Sequence, residues 1–234
     1  MKLVEIIHSK DTNKDIINMM LTFLEETLGK GVVIGKDTPN FIANRIGVFG
    51  MMNALDVSQT LKLSIEDVDS LSGSLIGRPK SGTFRTADIV GLDTMALVAK
   101  TAYENCTEDE CREMFKIPDY IQKMIDNNLL GQKSGQGFYK KIDKGIVHSL
   151  DLDTMEYTPQ NKQRYKGIRF AREYSSAVDR LRILTYSDDI AGEFTWKTIS
   201  KTLVYSASRL GEISDDIYSI DRAMRWGFGW SMGP

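Results

Sequence analysis

Between Pro39 and Ala54 one face of a helix is left almost without side chains, because Ala43, Gly47, Gly50 and Ala54 recur at spacings of four, three and four. Each interior glycine costs about 1 kcal/mol relative to alanine, so something must approach that face closely. A second helix packed backbone to backbone and a ligand are both candidates. Thr38 is a natural N-cap and Pro39 suits the first helical position, which predicts a helix beginning close to Pro39. Asn44 then lies one turn inside, next to the small stripe, with an amide that can donate to a carbonyl or accept from a hydroxyl.

Met1-Lys2-Leu3-Val4-Glu5-Ile6-Ile7 reads as a short strand covered on both faces, with a single carboxylate in it. Glu5 is either a strand-end side chain pointing to water or a partly desolvated acid. In the second case burial raises its pKa unless a cation or a hydrogen-bond donor offsets it. His8 stands at an odd separation, on the opposite face of a continuing strand, and the only other histidine is His148. The local residues therefore complete no acid/base dyad.

A third cluster, Gly131-Gln132-Lys133-Ser134-Gly135-Gln136-Gly137-Phe138-Tyr139, follows a helix-like segment from Ile117 to Leu130. Its backbone N–H groups and ammonium could meet phosphate, but Gln132 stands where a Walker A loop has glycine. Gly135-x-Gly137 lacks the third glycine of a dinucleotide fingerprint and follows a helix instead of opening one. Taken alone, these residues favour a helix C-cap and tight turn. Cys106 and Cys111 have no histidine nearby, so the expectation is two reduced thiols and no metal.

Lys plus Arg total 30 against 32 Asp plus Glu, a net charge of -2, which gives no general case for binding nucleic acid or an anionic membrane. No apolar run approaches about 18 residues and no signal-peptide pattern opens the chain, so the expected location is cytoplasmic. Leu3–Ile7, Asn13–Leu28 and Gly31–Ile34 read as strand, helix, strand. Helices dominate from Pro39 to Leu130, one opened by Ser64-Ile65-Glu66-Asp67 and another by Thr107-Glu108-Asp109-Glu110. Ile146–Leu150 and Met155–Thr158 form a β-hairpin around Asp151–Thr154. A basic helix-like stretch follows (Lys162, Arg164, Lys166, Arg169, Arg172, Arg180, Arg182), suited to phosphate groups, to a solvated face or to contact with another domain. Ile65-Glu66-Asp67-Val68-Asp69 is echoed by Ile217-Tyr218-Ser219-Ile220-Asp221, and Gly77 by Gly229, at an offset of 152.

In this order and at this separation, Met-Lys-Leu-Val-Glu, Asp37-Thr-Pro-x-Phe-Ile-x-Asn-Arg45, Ala87-Asp-Ile-Val-Gly-Leu-Asp-Thr94 and Gly131-x-Lys-x-Gly-x-Gly-Phe-Tyr139 resemble the L-3-hydroxyacyl-CoA dehydrogenase family of fatty-acid β-oxidation. The resemblance covers residues 1 to 139 and returns near the end, where Arg225 to Pro234 looks like a second helical unit cut off within a motif. It implies a mainly α fold, a helical C-terminal-type domain carrying a small α/β piece of a Rossmann domain at its start and the hairpin near 146–158. The units implied are residues 1–37 (terminal strand-helix-strand of the NAD-binding domain), 38–141 (first helical unit), 142–185 (hairpin and basic connector) and 186–234 (start of a truncated second unit).

By the same resemblance, Glu5 matches the glutamate that charge-balances a catalytic histidine lying before this segment. Asn44 matches the asparagine that contacts the substrate near its reacting carbon, and Lys133 a lysine that reaches the nicotinamide cofactor. The implied partners are a 3-hydroxyacyl-CoA substrate, NAD, the N-terminal Rossmann domain and a second copy paired through the helical units, with no nucleic acid, membrane or metal. The expectation is a segment of an NAD-dependent 3-hydroxyacyl-CoA dehydrogenase that is inactive by itself. A non-catalytic dimerisation or docking module and a related β-hydroxyacid dehydrogenase are the alternatives. Trp196 falls where the repeat would place an equivalent of Asn44, and Gly77–Gly82 has one residue more than Gly229–Gly233, so the second unit is not expected to form a second active site.

Overall fold

The computed structural model describes residues 2–234; Met1, the first residue of the expected strand, lies outside them. Strand β1 (Leu3–Ile7) pairs in parallel with β2 (Gly31–Gly35), Glu5 opposite Val33. They are joined by α1 (Lys14–Thr22), which Asn13 caps by accepting from the Asp15 N–H and which ends in a π-helical turn over Phe23–Thr27. The helical body follows, as α2 (Ala43–Leu61), α3 (Ile65–Ser72), α4 (Phe84–Val90), α5 (Leu92–Asn105) and α6 (Asp119–Asp126). Next comes a three-stranded antiparallel sheet of β3 (Tyr139–Asp143), β4 (Ile146–Leu150) and β5 (Tyr157–Pro159). The chain closes with α7 (Lys166–Ala171), α8 (Ala177–Thr185), α9 (Ile190–Ser208) and α10 (Ile217–Ala223). The fold is mainly α, as the sequence implies.

Several local expectations are corrected. Helix α2 begins at Ala43, not near Pro39: Asn40 and Phe41 both take left-handed φ values (66° and 51°), which no helix can continue through, and Thr38 does not cap it. The segment from Ile117 to Leu130 is helical only over α6. Thr107–Glu110 opens no α-helix but a turn followed by one 3₁₀ turn (Arg112–Phe115), because Asp109 is drawn into the interior. The hairpin gains a third strand, β3, through the turn at Lys144-Gly145, where Gly145 has φ 80°. The basic stretch breaks into two short helices, α7 and α8. Ser64 does cap α3, accepting from the Asp67 N–H at 3.2 Å.

The small stripe of α2 receives two aromatic rings, at Gly47 and Gly50, and at Ala43 the backbone of a π-helical turn. After α10 the chain makes a π-helical turn over Met224–Phe228 and lays its side chains along the stripe. A Cβ on Gly47 would stand 2.0 Å from Cζ of Phe228, and one on Gly50 2.9 Å from the Trp230 ring. A Cβ on Gly227 would lie 3.4 Å from that of Ala43, and one on Gly31 of β2 2.4 Å from the Trp226 ring. The two echoed turns also meet: Gly77 and Gly229 both take left-handed φ (71° and 69°), and the Ser231 N–H donates to the Gly77 carbonyl at 2.8 Å.

Behind the stripe lies a buried charge cluster. Arg45, fully inaccessible, donates from Nε to the Tyr205 hydroxyl (2.6 Å), from Nη1 to Sγ of Cys106 (2.5 Å) and from Nη2 to Asp109 (2.6 Å) and Glu212 (3.1 Å). Arg209 adds a second guanidinium beside Asp109 (3.3 Å) and Glu212 (2.8 Å). The Phe49 ring stacks on Tyr205 at 3.7 Å between centroids, and Cys106 and Cys111 are free thiols. Asp109, Glu110 and Cys111 lie close together, but Arg45 and Arg209 already face Asp109, and Arg209 also pairs with Glu110.

Gly47→Leu should lower stability by more than about 2 kcal/mol, through overpacking against Phe228. An unchanged urea midpoint for this variant would show that the stripe is not filled.

Candidate active site

Glu5 projects from β1 to the start of α2, where both its oxygens are used: the Ile42 N–H donates to Oε2 at 2.8 Å and the Ala43 N–H to Oε1 at 3.2 Å. The left-handed pair Asn40–Phe41 turns the chain so that these free N–H groups meet a carboxylate from another element. Burial raises the pKa of Glu5, while the two N–H donors lower it, as does the positive end of any helix. Each oxygen keeps a second lone pair for a further donor. His8 is exposed and turns to the Ser9 carbonyl (3.3 Å), and His148 lies far off on β4, so neither pairs with Glu5.

Asn44 follows directly. It is exposed in the first turn of α2 and its side chain makes no hydrogen bond among the described residues. Structure therefore brings Glu5 and Asn44 to one helix end, across 39 positions of sequence. Its neighbour Asn40 donates from Nδ2 to the Val98 carbonyl of α5 (2.8 Å), fixing the loop. Lys133 meets the same helix: its ammonium pairs with Asp93 and holds that carboxylate below its ordinary range. Asp93 and Val98 are five residues apart, about 7.5 Å of helical rise, so α5 carries both the Asn40 loop and the Lys133 turn.

What shapes the glycine-rich turn is Asp88, whose role in the turn was not read from sequence. The Phe138 and Tyr139 N–H groups donate to its two oxygens at 2.8 and 2.9 Å. A Cβ on Gly131 would lie 2.3 Å from the Asp88 carbonyl oxygen and one on Gly137 2.1 Å from its carboxylate. Gly131 and Gly137 thus make room for an internal acid. The one signal was an aspartate isolated among Ala87, Ile89 and Val90. Trp196, at the repeat position of Asn44, is an exposed ring on α9, a helix capped by its own Asp189 with no strand carboxylate (Gly192 N–H, 3.2 Å).

Residues 41–141 match the model of the 3-hydroxyacyl-CoA dehydrogenase C-terminal domain. The whole chain is 49% identical over 236 residues to a Bacillus subtilis (strain 168) protein described as a probable 3-hydroxyacyl-CoA dehydrogenase, covering 29% of it. Over 60% of the chain it is 34% identical to the mitochondrial hydroxyacyl-coenzyme A dehydrogenase of Sus scrofa, covering 43% of that protein. A 3-hydroxybutyryl-CoA dehydrogenase structure from Escherichia coli K12 shares the fold over the full chain (TM-score 0.63, 16% identity, 59% of that chain). The chain belongs to the 3-hydroxyacyl-CoA dehydrogenase family, which is NAD-dependent in general. It spans less than half the length of these curated relatives. Among the described residues no helix is long and apolar enough to cross a membrane.

Asp88 gives the turn a pH dependence. Burial pushes it up to about 6 against the two N–H donors, and burial does the same to Asp69, which accepts from Tyr139, Phe84 and Arg85. Folded pKa values above the unfolded one of about 3.9 mean that the folded state holds more protons in this window. The stabilisation is complete below about pH 4 and is lost as pH rises through about 6. The urea midpoint of Asp88→Asn should therefore vary less than that of the wild type over this range, and an identical pH slope in the two proteins would refute the assignment.

Proposed function

We propose that this chain is the helical, substrate-facing portion of an NAD-dependent L-3-hydroxyacyl-CoA dehydrogenase, with Glu5 and Asn44 at the reacting centre and Lys133 toward the cofactor. The observation that carries the reading is the shared helix end: the Glu5 carboxylate and the exposed Asn44 amide stand at one N-terminus. In this reading NAD, when bound, would supply the acceptor for a hydride from carbon 3 of the substrate. Asn44 donates to the reacting oxygen, and Glu5, already fixed by two N–H groups, uses its free lone pairs to hold and charge-balance a histidine that takes the hydroxyl proton. That histidine belongs to the part of the protein preceding this segment. Lys133 fits a contact to an anionic or carbonyl group of the cofactor, which would compete with Asp93 for its ammonium.

Residues 1–37 belong, in this reading, with the NAD-binding domain. Support comes from α1, which has no buried residue and exposes Ile16, Met19 and Met20, as a helix covering further parallel strands would. The 234 residues contain no Gly-x-Gly-x-x-Gly, so by themselves they should bind NADH more weakly than about 100 μM, an affinity worth roughly 5.5 kcal/mol.

In the whole enzyme, Asn44→Ala should lower kcat about 10-fold to 1000-fold with a smaller change in KM and an unchanged Tm. Glu5→Gln should lower both kcat and Tm, because it removes the charge facing the histidine and also spoils the cap of α2, worth about 1 kcal/mol. Lys133→Ala should act on the KM for NAD. Wild-type turnover in both Asn44→Ala and Glu5→Gln would overturn these residue assignments.

A further inference from the structure

A groove of about 540 Å³ opens where α3, the N-terminal end of α4, β3 and the α7–α8 connection meet. Five cations line it: Lys80, Arg85, Lys162, Arg172 and Arg180. Two acids also line it, and both are spent internally. Glu66, almost wholly buried, accepts from the Asn161 N–H at 2.6 Å, and Asp69 is occupied by the Phe84 and Arg85 N–H groups and the Tyr139 hydroxyl. Lys80, Lys162 and Arg172 form no ion pair among the described residues. In a chain of net charge -2 this is a local excess of positive charge inside a concavity.

The cations at its floor are held in place. Arg180 donates from Nε to the Leu75 carbonyl (2.9 Å), from Nη1 to those of Tyr174 (3.1 Å) and Ser175 (2.5 Å), and from Nη2 to that of Ser74 (3.2 Å). Four of its five N–H groups are thus spent on neutral acceptors, leaving its charge uncompensated and one N–H free. The Arg85 guanidinium lies over the Tyr139 ring at 4.1 Å. Tyr174 exposes its ring at the wall, a surface on which a planar base can stack.

From this we infer a second ligand site, for a nucleoside carrying at least two phosphate groups, one of them a terminal monoester, its phosphates on Lys80, Lys162 and Arg172 and its base on Tyr174. Fixed cations, free flexible cations and one exposed aromatic ring are the parts such a ligand requires. The site stands independently of the dehydrogenase reading, since its test measures binding with no turnover.

The test is titration calorimetry of the 234-residue chain in about 50 mM salt, with adenosine 3′,5′-bisphosphate, CoA, ATP, tripolyphosphate and adenosine as probes. Saturable binding of the phosphorylated nucleosides is expected, weakened at least tenfold by Lys162→Glu or Arg172→Glu and unaffected by Lys141→Glu, an exposed lysine on β3 outside the groove. Tyr174→Ala should weaken nucleotides but not tripolyphosphate. Preference for adenosine 3′,5′-bisphosphate and CoA over ATP would identify the ligand as a CoA-type nucleotide, and the reverse preference as a free nucleoside polyphosphate. No saturation by any probe, binding insensitive to Arg172→Glu, or equal affinity for tripolyphosphate and nucleotides would overturn the proposal.

Discussion

The guanidinium of Arg45 is the interaction on which the rest of this structure depends. Removing such a charge from water costs several kcal/mol unless every N–H finds a partner, and here the partners come from the turn after α5 and from α9 with its following turn. Burial works against the charge, but Tyr205 and Asp109 more than offset it and the pKa is raised. Arg45 thereby fixes the rotation and height of α2. Asn44, its neighbour, has nothing of its own to hold it and takes its place from Arg45 and from the Glu5 cap.

Division of labour within α2 follows from that anchoring. The helix is buried along most of its length, with Arg45 clamped on one side and the small stripe filled by Phe228 and Trp230 on another. Its N-terminus remains accessible, and that is where two N–H groups, a carboxylate and an amide converge. Groups at the end of a rigid helix need little further ordering when a ligand arrives. Lys133 is set by a different device, a glycine turn wrapped around Asp88, yet both devices are referred to α5.

Legibility in the sequence followed the range of the interactions. The strand pair, the Ser64 cap and the β4–β5 hairpin rest on local patterns and emerged from them. The need of Glu5 for a partner was visible because a carboxylate among Leu3, Val4, Ile6 and Ile7 is anomalous, but the partner itself lies nearly forty residues away. Thr38 and Pro39 formed a plausible helix start, and a long-range cap overruled them. The small stripe declared that something must come close, while the identity of Phe228 and Trp230 could come only from the tertiary fold. Asp109 read as part of an acidic first turn, and its pull into the Arg45 cluster broke the helix expected there.

The seating of the C-terminal turn on the stripe has a consequence for how the chain is made. Phe228 reaches Gly47, and Lys36 reaches the Gly211 carbonyl 175 positions on. Contacts of such separation are slow to form, since the intervening loop must close before anything rewards it. During synthesis the stripe, the Trp226 seat on β2 and the Arg45 guanidinium all emerge long before the residues that cover them. The nascent chain thus carries an open apolar trench beside an incompletely paired cation until Tyr205 to Trp230 have been made, and α2 is fully packed only then.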